Sequence, residues 1–453
     1  GDGGSSILNV QNGGTVNSAT GYIALDPGST GDVTVGGTGS TWNSGNLYVG
    51  GSAAGAGGSG SLTVTGGGLV DLGSSTLSLW APGSINLNGG TITAGALTSE
   101  GALNFNAGTL NIAADLTSSS ALGMAITLSG LTTLDVAGTT TLDGFSTLTL
   151  AGGSFSTGSL VDNGGFAFNS GTFNLTGDDL TVGSAGLFGT ATQFGFGQTM
   201  NVTNNVIVDA GSILSMRGGL LSAGQVTNSG VIEMNDALSD LSGGGVSNNG
   251  VIRGDGRISA PLTNNSAGQV RADTGKTLTF QGAGNTSAGQ VALLGGTAEF
   301  TQGLSNAGLI SGRGTLIVGP AATLTNTGTM AFSGTADLIG DVNNDTGGTI
   351  IVSGSSTATF HDDVNHSGSE IRVSGGSTGV FFGDVTISAS SLLTGDGLFW
   401  FEGSVSGGSS PGLVSVEGDV RLGEGSHALM ELAGLERGTE YDAFDIGGEL
   451  WLG

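Results

Sequence analysis

The stretch VTNSGVI at 226–232 decides the fold, because the same turn returns along the chain. It recurs as VSNNGVI at 246–252, LSNAGLI at 304–310 and LTNTGTM at 324–330. Looser copies surround Asn264, Asn285, Asn343 and Asn365. Successive copies are 16 to 22 residues apart, about 20 on average. A fixed period of this length predicts a stacked repeat architecture, in which each unit buries its apolar face against the next.

The segments between these turns have the pattern of short strands. SLTVT at 61–65, TLTL at 147–150 and TLTF at 277–280 alternate apolar and polar residues, which is typical of half-buried strands. The 92 glycines, with Asn and Asp, punctuate the strands at positions that tolerate sharp corners. The earlier part repeats as well, since residues 88–112 align without a gap to 151–175 with ten of 25 positions identical.

These patterns predict an all-β chain that forms a single elongated β-solenoid, a parallel β-helix with coils of about 20 residues. The rival class, a set of Greek-key sandwiches, needs longer strands and no common period. The turn chemistry divides the chain into three modules. Residues 1–225 form a solenoid with Gly-Gly and Asn-x-Gly turns, residues 226–400 one with Asn-x-Gly turns, and residues 401–453 a closing β-module that we expect to be truncated.

Asparagines at equal phase predict one of two structures. They stack into a ladder of amide hydrogen bonds, or they are bare left-handed turn residues; neither role is catalytic. The candidates for this structural column are Asn228, Asn248, Asn264, Asn285, Asn306, Asn326, Asn343 and Asn365.

Charge and composition exclude several classes. The net charge is −27, and the first Lys or Arg is Arg217, so residues 1–216 contain 12 acids and no cation. Such a chain cannot hold phosphates electrostatically, and we expect no nucleic acid partner. The absence of cysteine excludes disulfides and cysteine-based metal sites. No apolar run reaches the roughly 18 residues of a membrane-spanning helix.

The residues with metal-binding chemistry are few. Asp341, Asp363 and Asp384 each precede a valine at steps of 22 and 21 residues, so they stack if the coils are in phase. One interpretation is a Ca²⁺-stabilised edge; the favoured one is exposed acids that splay apart. His361 and His366 flank two aspartates with no zinc-site spacing. We expect no other cofactor, and no combination of residues predicts catalysis.

Two stretches resemble a known class of secreted proteins. GTGSTWNSGNLYVGGSAAGAGGSGSLTVTGGG at 37–68 resembles the repeat of bacterial autotransporter passengers. Residues 409–453, with SPG at 410–412, VEGDV at 416–420 and GTEYD at 438–442, resemble the segment that closes such repeat regions and those of PEP-CTERM-type proteins. The resemblance implies an extracellular or bacterial cell-surface location and roles in adhesion, matrix or surface structure.

Three functions are compatible with a secreted solenoid. The main hypothesis is a non-catalytic rigid rod, a surface or matrix fibre component that associates head-to-tail with itself or with other matrix components. The alternative is an adhesin-type passenger that binds glycans or other cells through its lateral face. A polysaccharide lyase or hydrolase is the third hypothesis, and the residues favour it least.

Overall fold

A computed structural model describes residues 3–388, 391–408 and 412–453, so Ser410 and Pro411 of the closing pattern lie outside the described residues. The chain is a parallel β-solenoid of about 20 coils with roughly 21 residues in each coil, which confirms the predicted fold class and period.

The strands are short and follow one another almost without interruption. In the first part of the chain they are β1 Ser5–Val10, β2 Thr15–Ile23, β3 Thr30–Gly36, β4 Thr41–Val49, β5 Gly51–Ser52, β6 Gly55–Ala56, β7 Ser59–Thr65, β8 Leu69–Asp71, β9 Thr76–Leu79, β10 Ser84–Ala94, β11 Ala96–Ser99, β12 Ala102–Ile112, β13 Leu116–Thr117, the short helix α1 Ser118–Ala121, β14 Ala125–Ser129, β15 Thr132–Leu142, β16 Thr147–Asp162, β17 Gly165–Leu175, β18 Leu180–Val182, β19 Ala191–Gly195, β20 Gln198–Val208, β21 Ile213–Arg217 and β22 Leu220–Asn228.

The second part continues in the same style. Its strands are β23 Val231–Gly243, β24 Val246–Asn248, β25 Val251–Ile258, β26 Leu262–Asn264, β27 Gln269–Asp273, β28 Thr277–Phe280, β29 Thr286–Ser287, β30 Gln290–Phe300, β31 Leu304–Asn306, β32 Leu309–Val318, β33 Thr323–Asn326, β34 Thr329–Ile339, β35 Asp341–Asn344, β36 Thr349–Val352, β37 Thr357–Phe360, β38 Val364–His366, β39 Glu370–Val373, β40 Thr378–Phe381, β41 Val385–Ile387, β42 Leu392–Thr394, β43 Leu398–Phe401, β44 Val405–Gly407, β45 Leu413–Val416, β46 Asp419–Leu422, β47 Ala428–Leu429, β48 Ala443–Ile446 and β49 Leu450–Leu452.

The chain divides into two compact units. Unit 1 comprises Gly1–Leu180, Phe194–Asn205 and Gly219–Ser222, and unit 2 comprises Thr181–Gln193, Val206–Gly218 and Ala223–Gly453. The turn chemistry predicts the modules 1–225, 226–400 and 401–453, and this division stays a prediction.

Unit 1 stacks strands of increasing length. β1, β3, β7, β10 and β12 pair in parallel, and their inward positions run through Val10, Val35, Val64, Leu87 and Phe105. Further along, Phe155 on β16 lies in register with Phe173 on β17, and their rings stack with centroids 5.2 Å apart. Like packs on like because equivalent positions in parallel in-register strands lie one strand spacing, about 4.8 Å, apart.

Unit 2 has three strand stacks around one core. The first begins at the end of β22 and continues through β24, β26, β29, β31, β33, β35, β38, β41, β44 and β47. The second runs from the start of β23 to β48, and the third from the end of β23 to β49. Five long strands belong to both the second and the third stack: β23, β25, β30, β32 and β34. The breaks in the register of β23, β30 and β32 lie where each strand passes from one stack to the other.

The core of unit 2 is a set of aliphatic and aromatic columns. The second stack buries a column that begins Ile232, Ile252, Val270, Val291 and Ile310 in consecutive register. The third stack buries Phe360, Phe381 and Phe401, with successive ring centroids 5.0 and 5.3 Å apart. Each strand therefore points alternate residues inward, as the sequence pattern predicts.

Candidate functional site

The first stack of unit 2 buries a column of polar side chains. Its members occupy the last or nearly last position of their strands, two residues after a buried aliphatic side chain in most coils. They are Asn228, Asn248, Asn264, Ser287, Asn306, Asn326, Asn344 and His366, and each is at most 1% exposed.

Hydrogen bonds in this column run in one direction. Nδ2 of Asn228 donates to Oδ1 of Asn248 at 2.7 Å, and Nδ2 of Asn248 donates to Oδ1 of Asn264 at 2.8 Å. The second run repeats this geometry, since Nδ2 of Asn306 donates to Asn326 and Nδ2 of Asn326 donates to Asn344, both at 2.7 Å. We call the eight buried residues of this column, from Asn228 to His366, the buried ladder.

Backbone carbonyls fix the orientation of each ladder amide. The second hydrogen of Asn326 Nδ2 points to the Gly328 oxygen at 3.2 Å, and that of Asn344 Nδ2 points to the Gly348 oxygen at 3.2 Å. A flipped amide would place oxygen against oxygen at these contacts. The ladder therefore satisfies buried amide groups that would otherwise be costly to leave unpaired.

The structure places the predicted asparagine column in two registers. Asn228, Asn248, Asn264, Asn306 and Asn326 belong to the buried ladder, whereas Asn343 and Asn365 lie one residue before the ladder positions. There Nδ2 of Asn365 donates to Oδ1 of Asn343 at 3.0 Å on the outer face. The ladder positions in those coils are Asn344 and His366, because strand alternation turns the side chain one residue earlier outward.

Asn285 is buried but does not belong to the ladder. Its Oδ1 accepts the Leu262 amide at 3.0 Å, and its Nδ2 donates to the Gly282 and Gly303 oxygens. These hydrogen bonds therefore stabilise the turn that precedes β29. The ladder position in that coil is Ser287, whose Oγ accepts Nδ2 of Asn264 at 3.0 Å.

The repeated glycine two residues after the ladder asparagine has a definite cause. Oδ1 of Asn228 accepts the Gly230 amide at 3.1 Å, and Oδ1 of Asn248 accepts the Gly250 amide at 3.2 Å, which closes a tight Asx turn. A Cβ on Gly250 would collide with the carbonyl oxygen of Gly230, and one on Gly308 would collide with that of Gly289. At Gly250 and Gly308, therefore, only glycine fits.

The glycine corners line an open groove along the surface of unit 2. Its volume is about 780 Å³, and it runs past six consecutive coils, from Gly211 to Leu309. Five coil steps of about 4.8 Å make it roughly 24 Å long. We call it the corner groove.

The walls of the corner groove are polar but uncharged. Side-chain amides and hydroxyls come from Ser229, Asn249, Ser266, Gln269 and Gln290, and apolar contacts come from Val231, Val251 and Leu309. Hydrogen bonds orient the two glutamine side chains, since Nε2 of Gln269 donates to Oε1 of Gln290 at 2.7 Å and Nε2 of Gln290 donates to Oγ of Ser311 at 3.0 Å.

Charge near the groove is balanced locally. Residues 217–276 contain five acids and five bases, although the whole chain carries −27. Arg253 pairs with Glu233 through Nε at 3.1 Å and lowers the pKa of that carboxyl, chiefly by this hydrogen bond. Arg257 pairs with Asp240 at 2.9 Å. The groove therefore lies in a part of the chain where basic side chains balance the charge of the carboxylates.

The three predicted calcium-binding aspartates are in register on the first stack. Asp341, Asp363 and Asp384 each precede the paired Val342, Val364 and Val385. Oδ1 of Asp363 accepts the Asp384 amide at 2.9 Å, and Oδ1 of Asp384 accepts the Ser404 amide at 2.9 Å. Within residues 3–388, 391–408 and 412–453, no group of three or more acidic or histidine side chains is arranged to hold a metal. Ca²⁺ binding there stays a prediction.

Comparison with known proteins gives a partial match. The chain is 30% identical over 208 residues, 45% of its length, to the adhesin BmaC autotransporter of Brucella suis biovar 1 (strain 1330), and it covers 5% of that protein. No protein-family profile matches the sequence. In the described part of the chain, no helix has the length and apolar character to cross a membrane. The chain is thus similar to part of an autotransporter adhesin; the PEP-CTERM resemblance has no such support.

Proposed function

We propose that this chain is a non-catalytic, adhesin-type passenger segment, displayed on a bacterial surface, that binds glycans through the corner groove. The observation that carries the proposal is its 30% identity over 208 residues to an autotransporter adhesin. The fold is consistent with it, because a solenoid presents the same residues at regular spacing along one face.

The chemistry of the corner groove favours an uncharged, extended ligand. Its volume of about 780 Å³ lies within the 300–1,000 Å³ typical of ligand sites. Paired amides such as Gln269 and Gln290 offer donors and acceptors that suit vicinal hydroxyl groups, and Val231, Val251 and Leu309 offer apolar contact. A net charge of −27 disfavours acidic polymers. Neutral polysaccharide is therefore the proposed ligand class.

The test is binding of the purified chain to neutral and acidic glycan arrays and to host-cell surfaces. Ala288→Trp fills the groove from an exposed position and should weaken binding at least about tenfold. Ala321→Trp is the matched control, since Ala321 is exposed in a turn outside the groove and should leave binding unchanged. Equal binding by both variants, or no binding to any glycan or cell, would contradict the proposal.

A second candidate function is a structural spacer or fibre component that associates with itself. The buried ladder and the aliphatic columns favour it, because they hold consecutive coils in one register. Sedimentation and electron microscopy of the purified chain across a range of concentrations test it. Concentration-dependent filaments would support this role, and monomers at every concentration would oppose self-association.

A further inference from the structure

The buried ladder ends on a residue of different chemistry. In the coil after Asn344 the ladder position is His366, and the next coil places Ile387 there. His366 is 1% exposed, and because an isoleucine follows it in register, it is the last polar member of the column. Among the ladder residues it is the one whose side chain can gain a proton near neutral pH.

The hydrogen bonds of His366 specify one tautomer. Nδ2 of Asn344 faces Nδ1 of the ring at 3.0 Å, and an amide nitrogen only donates, so Nδ1 must be the unprotonated acceptor. Nε2 faces the Leu392 oxygen at 3.3 Å, and a carbonyl only accepts, so Nε2 carries the hydrogen. The neutral ring satisfies both contacts.

Asn344 cannot rotate its amide to accommodate a charged ring. Its Oδ1 accepts the hydrogen bond from Asn326, and its Nδ2 also donates to the Gly348 oxygen at 3.2 Å. A flip would set two donors against each other at Asn326 and two oxygens against each other at Gly348. The whole run from Asn306 would have to reverse.

Among the residues that the structure describes, no carboxylate forms a hydrogen bond with the His366 ring. The strands that pack against β38 contribute Asp341 from β35 and Glu370 and Arg372 from β39, while β41 and β42 contain no titratable residue. Asp341 and Arg372 are exposed, and Oε1 of Glu370 accepts the Thr394 hydroxyl at 2.6 Å. Burial accordingly lowers the pKa of His366 below the usual histidine value, an effect that the Leu392 hydrogen bond opposes only in part.

We propose that His366 is an acid-sensitive joint in the buried ladder of unit 2. A proton from solvent binds the Nδ1 lone pair, replaces the acceptor by a second donor and breaks the hydrogen bond from Asn344. The coil that contains β38 then opens from the coil that contains β35, and the contacts of β41 and the Leu392 segment with this histidine are lost with it.

Hydrogen exchange at matched pH tests this proposal. We compare the native chain with His366→Asn, which restores the ladder residue, and with His361→Asn, which changes an exposed histidine near the same coil. At pH 5 the amides of 364–371 and 385–388 should exchange more than about tenfold faster in the native chain and in His361→Asn than in His366→Asn. This follows because each pH unit below about 6.5 raises the opening constant by up to tenfold. At pH 7.5 all three should be equal.

Equal exchange in all three proteins at pH 5 would overturn the proposal. If His366→Asn does not fold, ¹⁵N NMR of the imidazole rings in the native chain decides instead. The expected spectrum has His366 as the Nε2–H tautomer that titrates below 6.5. A ring that is already charged at pH 7, or an Nδ1–H tautomer, would overturn the proposal without any variant.

Discussion

Units 1 and 2 place asparagine side chains on opposite sides of the same kind of sheet. In unit 1 the amide pairs lie outside: Asn43 donates to Asn17, Asn104 to Asn86 and Asn106 to Asn88, at 2.8, 2.8 and 2.9 Å on the exposed surface. In unit 2 the ladder pairs lie in the core, as in Asn306 with Asn326, and the outer pair of Asn365 with Asn343 stands one residue before the ladder positions. Because side chains along a strand alternate between its two faces, a shift of one residue decides whether an asparagine lies in the core or on the surface.

The difference matters energetically because water competes for exposed amides only. A buried amide that loses its partner forfeits a hydrogen bond that nothing replaces, whereas an exposed one exchanges it for water. The buried ladder also accounts for the corner groove, since its Asx turns require the glycines that leave the corner without side chains. Unit 2 thus obtains both its register and its candidate binding surface from one repeated residue pair.

The largest expected effect comes from interrupting the buried ladder. Asn326→Leu should lower the free energy of unfolding by about 3 kcal/mol, because it leaves Asn306 without an acceptor and Asn344 without a donor in the core. Asn104→Leu, at an exposed amide pair of unit 1, should cost no more than about 0.5 kcal/mol. Urea unfolding followed by circular dichroism measures both. Equal losses would show that burial does not distinguish the two columns.

Glycine substitutions sharpen the comparison at the corners. Gly308→Ala in unit 2 should cost about 2 kcal/mol, since the new Cβ meets the Gly289 carbonyl. Gly13→Ala in unit 1 should cost about 1 kcal/mol, since Gly13 has open space around it and only its φ of 77° disfavours a side chain. Melting temperatures of the two variants test the order. If Gly308→Ala leaves the melting temperature unchanged, the backbone at this corner can shift to accept the new Cβ.

Acid should lower the stability of unit 2 more than that of unit 1, by a smaller amount than the glycine substitution at Gly308. All three histidines belong to unit 2. Because the pKa of His366 is lowered in the folded state, its contribution to stability is fully present above about pH 6.5 and is lost as the pH falls through the folded pKa. Between pH 7 and 5.5 the stability of unit 2 should fall by up to about 1.4 kcal/mol more in the native chain than in His366→Asn. Identical pH profiles would contradict this.

The smallest effect concerns salt. Unit 1 contains no Lys or Arg, so added salt only relieves repulsion among its acids. Unit 2 contains partly exposed pairs such as Arg253 with Glu233, worth about 0.5 kcal/mol after screening. Arg253→Gln should therefore destabilise slightly in dilute buffer and not at all in about 1 M NaCl. A loss that persists in salt would indicate that packing of the Arg253 stem matters instead.

The sequence was sufficient for the fold because the period of about 20 residues and the alternation of apolar positions are direct consequences of stacking strands. The sequence pattern does not identify which residue belongs to the ladder in the coils that contain Asn343 and Asn365. Asparagine is the visible repeated residue there, whereas the feature that recurs at the same place in each coil is the buried aliphatic residue two positions before the ladder. Alignment on Val342 and Val364 would have identified Asn344 and His366.

The corner groove was beyond prediction for a different reason. Its walls combine residues from six coils, including Gln269 and Gln290, that have no motif of their own. Only the register of the coils brings these side chains together. The short helix α1 at Ser118–Ala121 likewise has no helical period in the sequence, because four residues are too few to display one.

The central claim is that the ladder asparagines of unit 2 form a buried, directional column, while the pairs made by Asn43, Asn104 and Asn106 in unit 1 lie on the exposed surface. Side-chain amide exchange measured by NMR tests this most directly, because it reports the Nδ2 hydrogens themselves. The Nδ2 hydrogens of Asn228, Asn248, Asn264, Asn306, Asn326 and Asn344 should exchange at least about a hundredfold more slowly than those of Asn43, Asn104 and Asn106. Similar rapid exchange in both groups would contradict the account.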